Sequence, residues 1–270
     1  MLRHVNAQRV RPAAVAGMFY PAERATLRGQ VDDFLVDAPS RFPAPLAILS
    51  PHAGYVYSGS TAALGFAQWR SAPIDHVVIV GPTHRVGIRA VALPDADAMA
   101  TPLGDVRIWA DGVQLVRDLP HVAVNAAVHA EEHSLEVQLP FVQRVLPRAD
   151  VLPLAAGWVT PQDVAAVLEA LWHTPGLGIV ISSDLSHYHS YEQANAIDQA
   201  TVAQVLALDA TIDHDQACGA TGLDAMLLVA RDHNLTPRLL GACNSGDTAG
   251  DKRRVVGYAS VAFDASEAQS

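Results

Sequence analysis

The sequence predicts a single α/β domain with a mostly parallel central sheet and helices on both faces. Three observations point there. Five short apolar runs rich in Val and Ile do not alternate apolar with polar residues, which is the pattern of strands buried on both sides. Stretches of helical periodicity lie between them, and strands alternating with helices define the α/β class. The chain has 270 residues, half of them apolar, enough for one aliphatic core without disulfide or metal staples.

Along the chain, "TLRGQVDDFLVD" (26–37) sets Leu27, Val31, Phe34 and Leu35 along one helical face. "PLAILS" (45–50) is the first buried strand, and "PHAGYVYSG" after it reads as a glycine-rich loop. "HVVIVG" (76–81) is the second strand, with Gly81 at its end. "RAVALPDADAMATPLGDVRIWA" (89–110), broken by Pro and Gly, reads as a hairpin or excursion at one edge. "HAEEHSLEVQLPFVQRVL" (129–146) reads as a helix. "DVLPLAA" (150–156) and "LGIVISS" (177–183) are strands. The helix between them, "TPQDVAAVLEALWHT" (160–174), opens on Thr160 as N-cap and Pro161 at the first helical position. Helices follow at 191–208 and 221–234. "LLGACNSGDTAGDKRRVV" (239–256) leads from apolar residues into a loop, and "VVGYASVAF" (255–263) is the last strand. No repeat or linker divides the chain, so one domain over 1–270 is expected, with only "DASEAQS" as a free tail.

The formal charge is −10, with acidic residues spread along the chain. That argues against nucleic acid, which wants a basic face, and against an anionic membrane surface. No segment approaches the ~18 apolar residues of a membrane span. The N-terminal Arg residues precede only a short apolar run opened by Pro12, which does not fit a signal peptide. Cys218 and Cys243 lie far apart with no C-x-x-C pairing, so a reducing cytoplasm is expected. Lys252, the only lysine, sits in "GDKRRVV" and fits neither a P-loop nor a Schiff-base site. No G-x-S-x-G elbow or zinc signature occurs.

Twelve histidines remain, and three of them stand just past strand ends: His52, His84 and His187, the last after Asp184. Ligands of open parallel sheets bind beyond the carboxyl ends of the strands, and neutral imidazole is the commonest transition-metal ligand. A lone histidine there is more often a surface residue or a loop anchor; three beside special turns point to a shared site. Glycines 54, 59 and 81 are expected to let the backbone turn sharply at these points. His133 and Glu136, i and i+3, share a face of the 129–146 helix, either as ordinary residues at a helix N-terminus or as groups supporting the site. Asp247 is a further carboxylate for the rim unless it serves only a turn. Cys243 reads as a thiolate donor or an inert core residue. Cys218 is a buried structural residue or a thiol acidified by a helix N-terminus. His4, His76, His121, His173, His214 and His233 read as surface or packing residues.

The motifs "PAAVAGMFYP", "SPHAGYVYSG", "GPTHR", "EEHSLEVQLPF", "SSDLSHYH", "CGATG" and "SGDTAGDKRRVVGYASVAF" occur in that order. Together they resemble the Memo family, the bacterial and archaeal relatives of the eukaryotic mediator of ErbB2-driven cell motility, over about residues 11–264. The resemblance implies a fold similar to the class III extradiol dioxygenase catalytic subunits. It sets His52, His84 and His187 as pocket histidines, Asp184 as a pocket aspartate, and Phe19 in place of a pocket tryptophan. It implies iron or copper bound with help from a cysteine, whose place here is Thr248. It also implies partners: an AMMECR-like protein and a radical SAM protein, as in the AmmeMemoRadiSam system.

Two functions are therefore expected to compete. One is a non-haem Fe(II) site for oxygen or redox chemistry, with copper next and zinc behind. Its ligands are His52, His84, His187 and a carboxylate, Asp184 or Asp247, with His187 alternatively the general base. Phe19, Tyr20 and Tyr55 edge a pocket for a small aromatic or peptide group, with His133, Glu136 and Cys243 nearby. The other is a protein that binds a metal or a peptide without turning anything over. Metal-assisted hydrolysis stands third.

Overall fold

The computed structural model describes residues 8–40 and 43–266. His4 and the last residues of the expected tail lie outside them. β1 (Val10–Arg11) precedes α1 (Arg24–Asp37), whose N-cap Glu23 accepts from the amides of Ala25 and Thr26. β2 (Ala47–Ser50) leads through α2 (Tyr55–Phe66) to β3 (His76–Pro82). The edge excursion follows as β4 (Val91–Leu93), the hairpin β5 (Ala98–Thr101) and β6 (Gly104–Arg107), α3 (Ala110–Val116) and β7 (Val122–Val124). Three short helices, α4 (Ala126–Ala130), α5 (His133–Glu136) and α6 (Leu139–Val145), precede β8 (Asp150–Ala156). Then come α7 (Pro161–Leu171), β9 (Leu177–Ser182), β10 (His187–His189), α8 (Tyr191–Leu206) and α9 (Ala220–Asp232). β11 (Thr236–Asn244), α10 (Ser245–Thr248) and β12 (Val255–Asp264) complete the described chain.

β2, β9, β3 and β8 lie side by side and parallel, as the continuous apolar runs require. The sheet as a whole is mixed. β12 runs antiparallel to β2, β10 and β11 on one flank, and β4 runs antiparallel to β8 on the other. β1, β5 and β6 form a separate small sheet. Successive side chains of a strand point to opposite faces, so β3 feeds two cores. Val78 and Val80 join Val164, Leu168 and Met226 of α7 and α9. Val77 and Ile79 join Leu27 and Val31 of α1, Phe66 of α2 and Phe141 of α6. No helix among the described residues is long and apolar enough to cross a membrane.

The structure departs from the sequence reading in three places. Residues 55–66 are helix α2, not a glycine-rich loop, because their glycines serve packing rather than turning. A Cβ on Gly59 would fall 2.4 Å from the Phe34 ring, and one on Gly65 would fall 2.8 Å from Ser260 Oγ. Neither Gly54, Gly59 nor Gly81 has a positive φ. The single helix expected over 129–146 is broken into pieces. Glu132 is extended, and its carboxylate accepts from the Ser134 amide to restart α5; Pro140 then enters the first turn of α6. Finally, 239–244 belongs to β11, which pairs with β12 along its length, with Cys243 opposite Tyr258.

Candidate metal centre

Three parallel strands end at one rim. Past β2 comes His52, past β3 comes His84, and past β9 come Asp184 and His187. α5 lies over the same rim and adds His133. The ring centroids of His52 and His84 are 5.2 Å apart, those of His52 and His133 5.4 Å, and those of His84 and His133 4.5 Å. One ligand nitrogen from each of these three rings lies within 4.8 Å of the other two. His187 stands outside that group but on the wall of the same hollow, about 500 Å³, together with Phe19, Tyr57, Asp184 and Arg254.

Proton accounting fixes the tautomers. Ser182 Oγ has one hydrogen, donated to the Ser134 carbonyl at 2.6 Å, and accepts from Gln138 Nε2 at 2.8 Å. His52 Nδ1, 3.0 Å from that oxygen, must therefore donate to it, which leaves Nε2 with the lone pair. His84 Nδ1 faces the Glu132 carboxylate at 2.9 Å and donates, so its Nε2 is also free. His187 Nδ1 donates to the Leu185 carbonyl at 2.8 Å, with the same result. A fixed donor on one nitrogen that orients the other is the arrangement found behind metal-bound imidazoles.

The residue that organises this arrangement is Glu132, which the sequence reading passed over. Its carboxylate accepts from the His84 amide, His84 Nδ1 and the Ser134 amide, and lies 3.3 Å from His133 Nδ1. Burial works against its charge, but the bonds and charge of His84 prevail and hold its carboxyl at about 2. Burial and neighbouring imidazoles lower His52 well below the usual histidine range and His133 to about 4. His187 is lowered too, by burial first. The shifts of His52, His133 and His187 all favour the neutral ring, the form that ligates. Burial raises Asp184 to about 7, against the His52 and Ala53 amides that bond its Oδ1.

Several residues expected at the site are engaged elsewhere. Glu136 is fully buried against the Arg11 guanidinium and accepts from the Tyr20 hydroxyl and the amides of Ala14 and Val15. Tyr55 donates to the Val137 carbonyl inside the core. Asp247 accepts from the Tyr191 hydroxyl and caps α10 through the Asn244 amide, so it is a turn carboxylate and not a rim one. Cys243 lies beside Thr61 Oγ1, and burial raises its thiol. None of Tyr20, Tyr55, Glu136, Cys243 and Asp247 is on the wall of the hollow. Cys218, by contrast, lies closer to the site than expected, its Sγ 3.2 Å from His52 Nε2. Burial pushes its thiol up to about 12, opposite to acidification by a helix N-terminus.

α5 is seated by small atoms. Ser134 Oγ donates to the Pro82 carbonyl, and a Cβ on Gly81 would fall 2.7 Å from that Oγ and 3.0 Å from Leu135. Gly81→Ala is therefore expected to lift α5 from β3, lower stability by about 1–3 kcal/mol, and displace His133. Urea denaturation and metal content measured on the same variant check both effects.

A family model described as Memo-like protein matches residues 11–262. The chain belongs to the Memo family. A MEMO1 family protein of Aquifex aeolicus is 33% identical over 270 residues, covering 94% of this chain and 99% of the relative. One from Sulfurisphaera tokodaii is 32% identical over 281 residues, with 94% and 99% covered. One from Thermotoga maritima is 33% identical over 275 residues, with 93% and 98% covered. In this Memo chain Phe19, expected in place of a pocket tryptophan, does face the hollow and packs on His133 at 4.6 Å between centroids. Thr248, expected from the resemblance to stand in the place of a cysteine, donates to the Ser245 carbonyl through Oγ1.

Proposed function

We propose that this Memo-family chain holds one first-row transition metal, iron before copper or zinc, on His52, His84 and His133. The further proposal is that it uses this metal in redox chemistry on a small aromatic or peptide group. The observation that supports the metal is the donor set: three imidazoles with ligand atoms within 4.8 Å, each ring backed by a buried polar group. When bound, iron on such a set supplies Lewis acidity, open positions for oxygen and one-electron redox capacity.

The chain's own residues supply the rest. His187, held by the Leu185 carbonyl, presents a basic Nε2 to the hollow and takes a proton from a substrate group at about 2.6–3.2 Å. Asp184 is a second proton-holding group on the same wall. Phe19 and Tyr57 form an apolar side, and Arg254 gives the wall a fixed positive charge. A hollow of about 500 Å³ suits a ring or a short side chain. Thr248 in the cysteine's place supports a second reading: a binding protein without turnover, acting in the cytoplasm beside AMMECR-like and radical SAM partners.

One experiment separates the two. The protein is purified without oxygen, its metals are measured, it is reloaded with Fe(II), and oxygen uptake is followed with a panel of catechols. Uptake by the wild type, lost in His187→Ala while iron is retained, is the expected result. Iron held with no uptake by any catechol selects the binding reading. No first-row metal held by the wild type overturns both metal readings and leaves peptide binding alone.

A further inference from the structure

A second cavity of about 580 Å³ shares no lining residue with the metal hollow. It lies where α1, the β5–β6 hairpin and the segment after α6 converge, and residues 147–149 lead from it into the amino end of β8. The histidines stand at the other end of the parallel strands. Five arginines line it: Arg24 and Arg28 from α1, Arg107 from β6, and Arg144 and Arg148 around the end of α6.

Such convergence is unexpected in a chain of net charge −10. Asp32 neutralises part of it, binding Arg144 through two bonds of 2.6 and 3.0 Å and lying 3.9 Å from Arg28. Arg24, Arg107 and Arg148 have no ion pair or side-chain hydrogen bond among the described residues. Nor does Asp105, the one carboxylate on the wall, pair with any of the five. The cluster also works against local helix stability. Arg24 is the first residue of α1, where the helix dipole favours negative charge, and it repels Arg28 one turn on. The Glu23 N-cap and Asp32 offset this only in part, and positions that go against a local rule are where functional sites are expected.

We propose that this basin binds a small polyphosphate-bearing ligand. Guanidinium forks match phosphate oxygens in pairs, and three exposed arginines without an internal partner suit a ligand carrying several negative charges close together. The site is concave and of small-ligand size, while the acidic remainder of the surface offers nothing for a nucleic-acid strand to follow.

The test is calorimetric titration of the iron-loaded full chain with sodium tripolyphosphate and, separately, with ATP, both without divalent ions, in low and high salt. Saturable binding of either at one site is expected, weaker in high salt, and the tighter of the two identifies an inorganic or a nucleotide source. Arg24→Gln/Arg107→Gln/Arg148→Gln should weaken binding by about a hundredfold, and Arg24→Gln or Arg148→Gln alone by about tenfold. Arg231→Gln, outside the basin, should leave it unchanged. The His52→Ala/His84→Ala chain should bind as the wild type does, which separates this site from chelation at the metal centre. The single variants, both at exposed positions, decide the matter if the triple fails to fold. Absence of saturable binding to the wild type, single variants that bind like it, or an equal loss in Arg231→Gln would overturn the proposal.

Discussion

His52→Ala/His84→Ala should emerge from purification with its metal content reduced to background, because two of the three nitrogens are gone and His133 alone is one weak ligand. Glu132→Gln tests the support rather than the ligands. It keeps an acceptor near His84 Nδ1 but removes the charge that orients two imidazoles. Losing a group behind a ligand typically costs about 10–100-fold in metal affinity, so this variant should load only at raised Fe(II). The wild type should also hold metal at unusually low pH. Protons compete with the metal for the ring nitrogens, and the lowered pKa values of His52 and His133 move that competition at these two rings to more acidic solution. Retention should fall as pH drops through about 4, where His133 takes its proton. Free imidazoles of pKa near 6.5 would lose metal roughly two pH units higher. Metal analysis after dialysis at a series of pH values distinguishes the two curves.

The second large effect belongs to Glu136. Its side chain is fully buried, and that of Arg11 is 6% exposed. Glu136→Ala would leave a buried guanidinium without its counter-charge and the Tyr20 hydroxyl without its acceptor. Breaking a buried pair in this way costs about 3–5 kcal/mol, a large part of a domain's stability, and should move the urea midpoint sharply. Arg11→Met/Glu136→Leu should recover part of that loss, since no isolated charge remains. The pair also reaches the metal centre indirectly: Arg11 donates to the carbonyls of His129 and Glu132, tying β1 to the start of α5. Glu136→Ala should therefore lower metal content as well as stability.

The parallel core could be read from the sequence because β3, β8 and β9 are covered on both faces and leave a plain apolar run. α2 could not, because its small residues and glycines look like loop composition unless the Phe34 ring and Ser260 that fill the space are known. The antiparallel β12 is recognisable as a strand, but its direction beside the parallel core depends on β2, some two hundred residues away. At the candidate site, His52 and His84 are legible because each closely follows an apolar strand. His133 was found as a neighbour and not as a member of the trio, because the reading ran one helix through 129–146 and missed the break at Glu132. That break had a local signal: an acidic residue two positions before Ser134 at a helix start. Asp247 and Cys243 were overvalued because sequence shows donor chemistry but not which way a strand or turn aims it. Cys218 was undervalued for the same reason.

The place of β12 has a consequence for biogenesis. Val256 and Tyr258 form part of the hollow's wall, and Ser260 hydrogen-bonds Leu49 across 211 positions of sequence. A nascent chain still on the ribosome has made all four residues of the histidine–glutamate cluster long before this strand leaves the exit tunnel, yet it cannot close the wall around them. Long-range pairing of this kind forms late, so the centre is completed only after translation of the last strand. The three imidazoles are therefore enclosed in a finished protein, not a growing one.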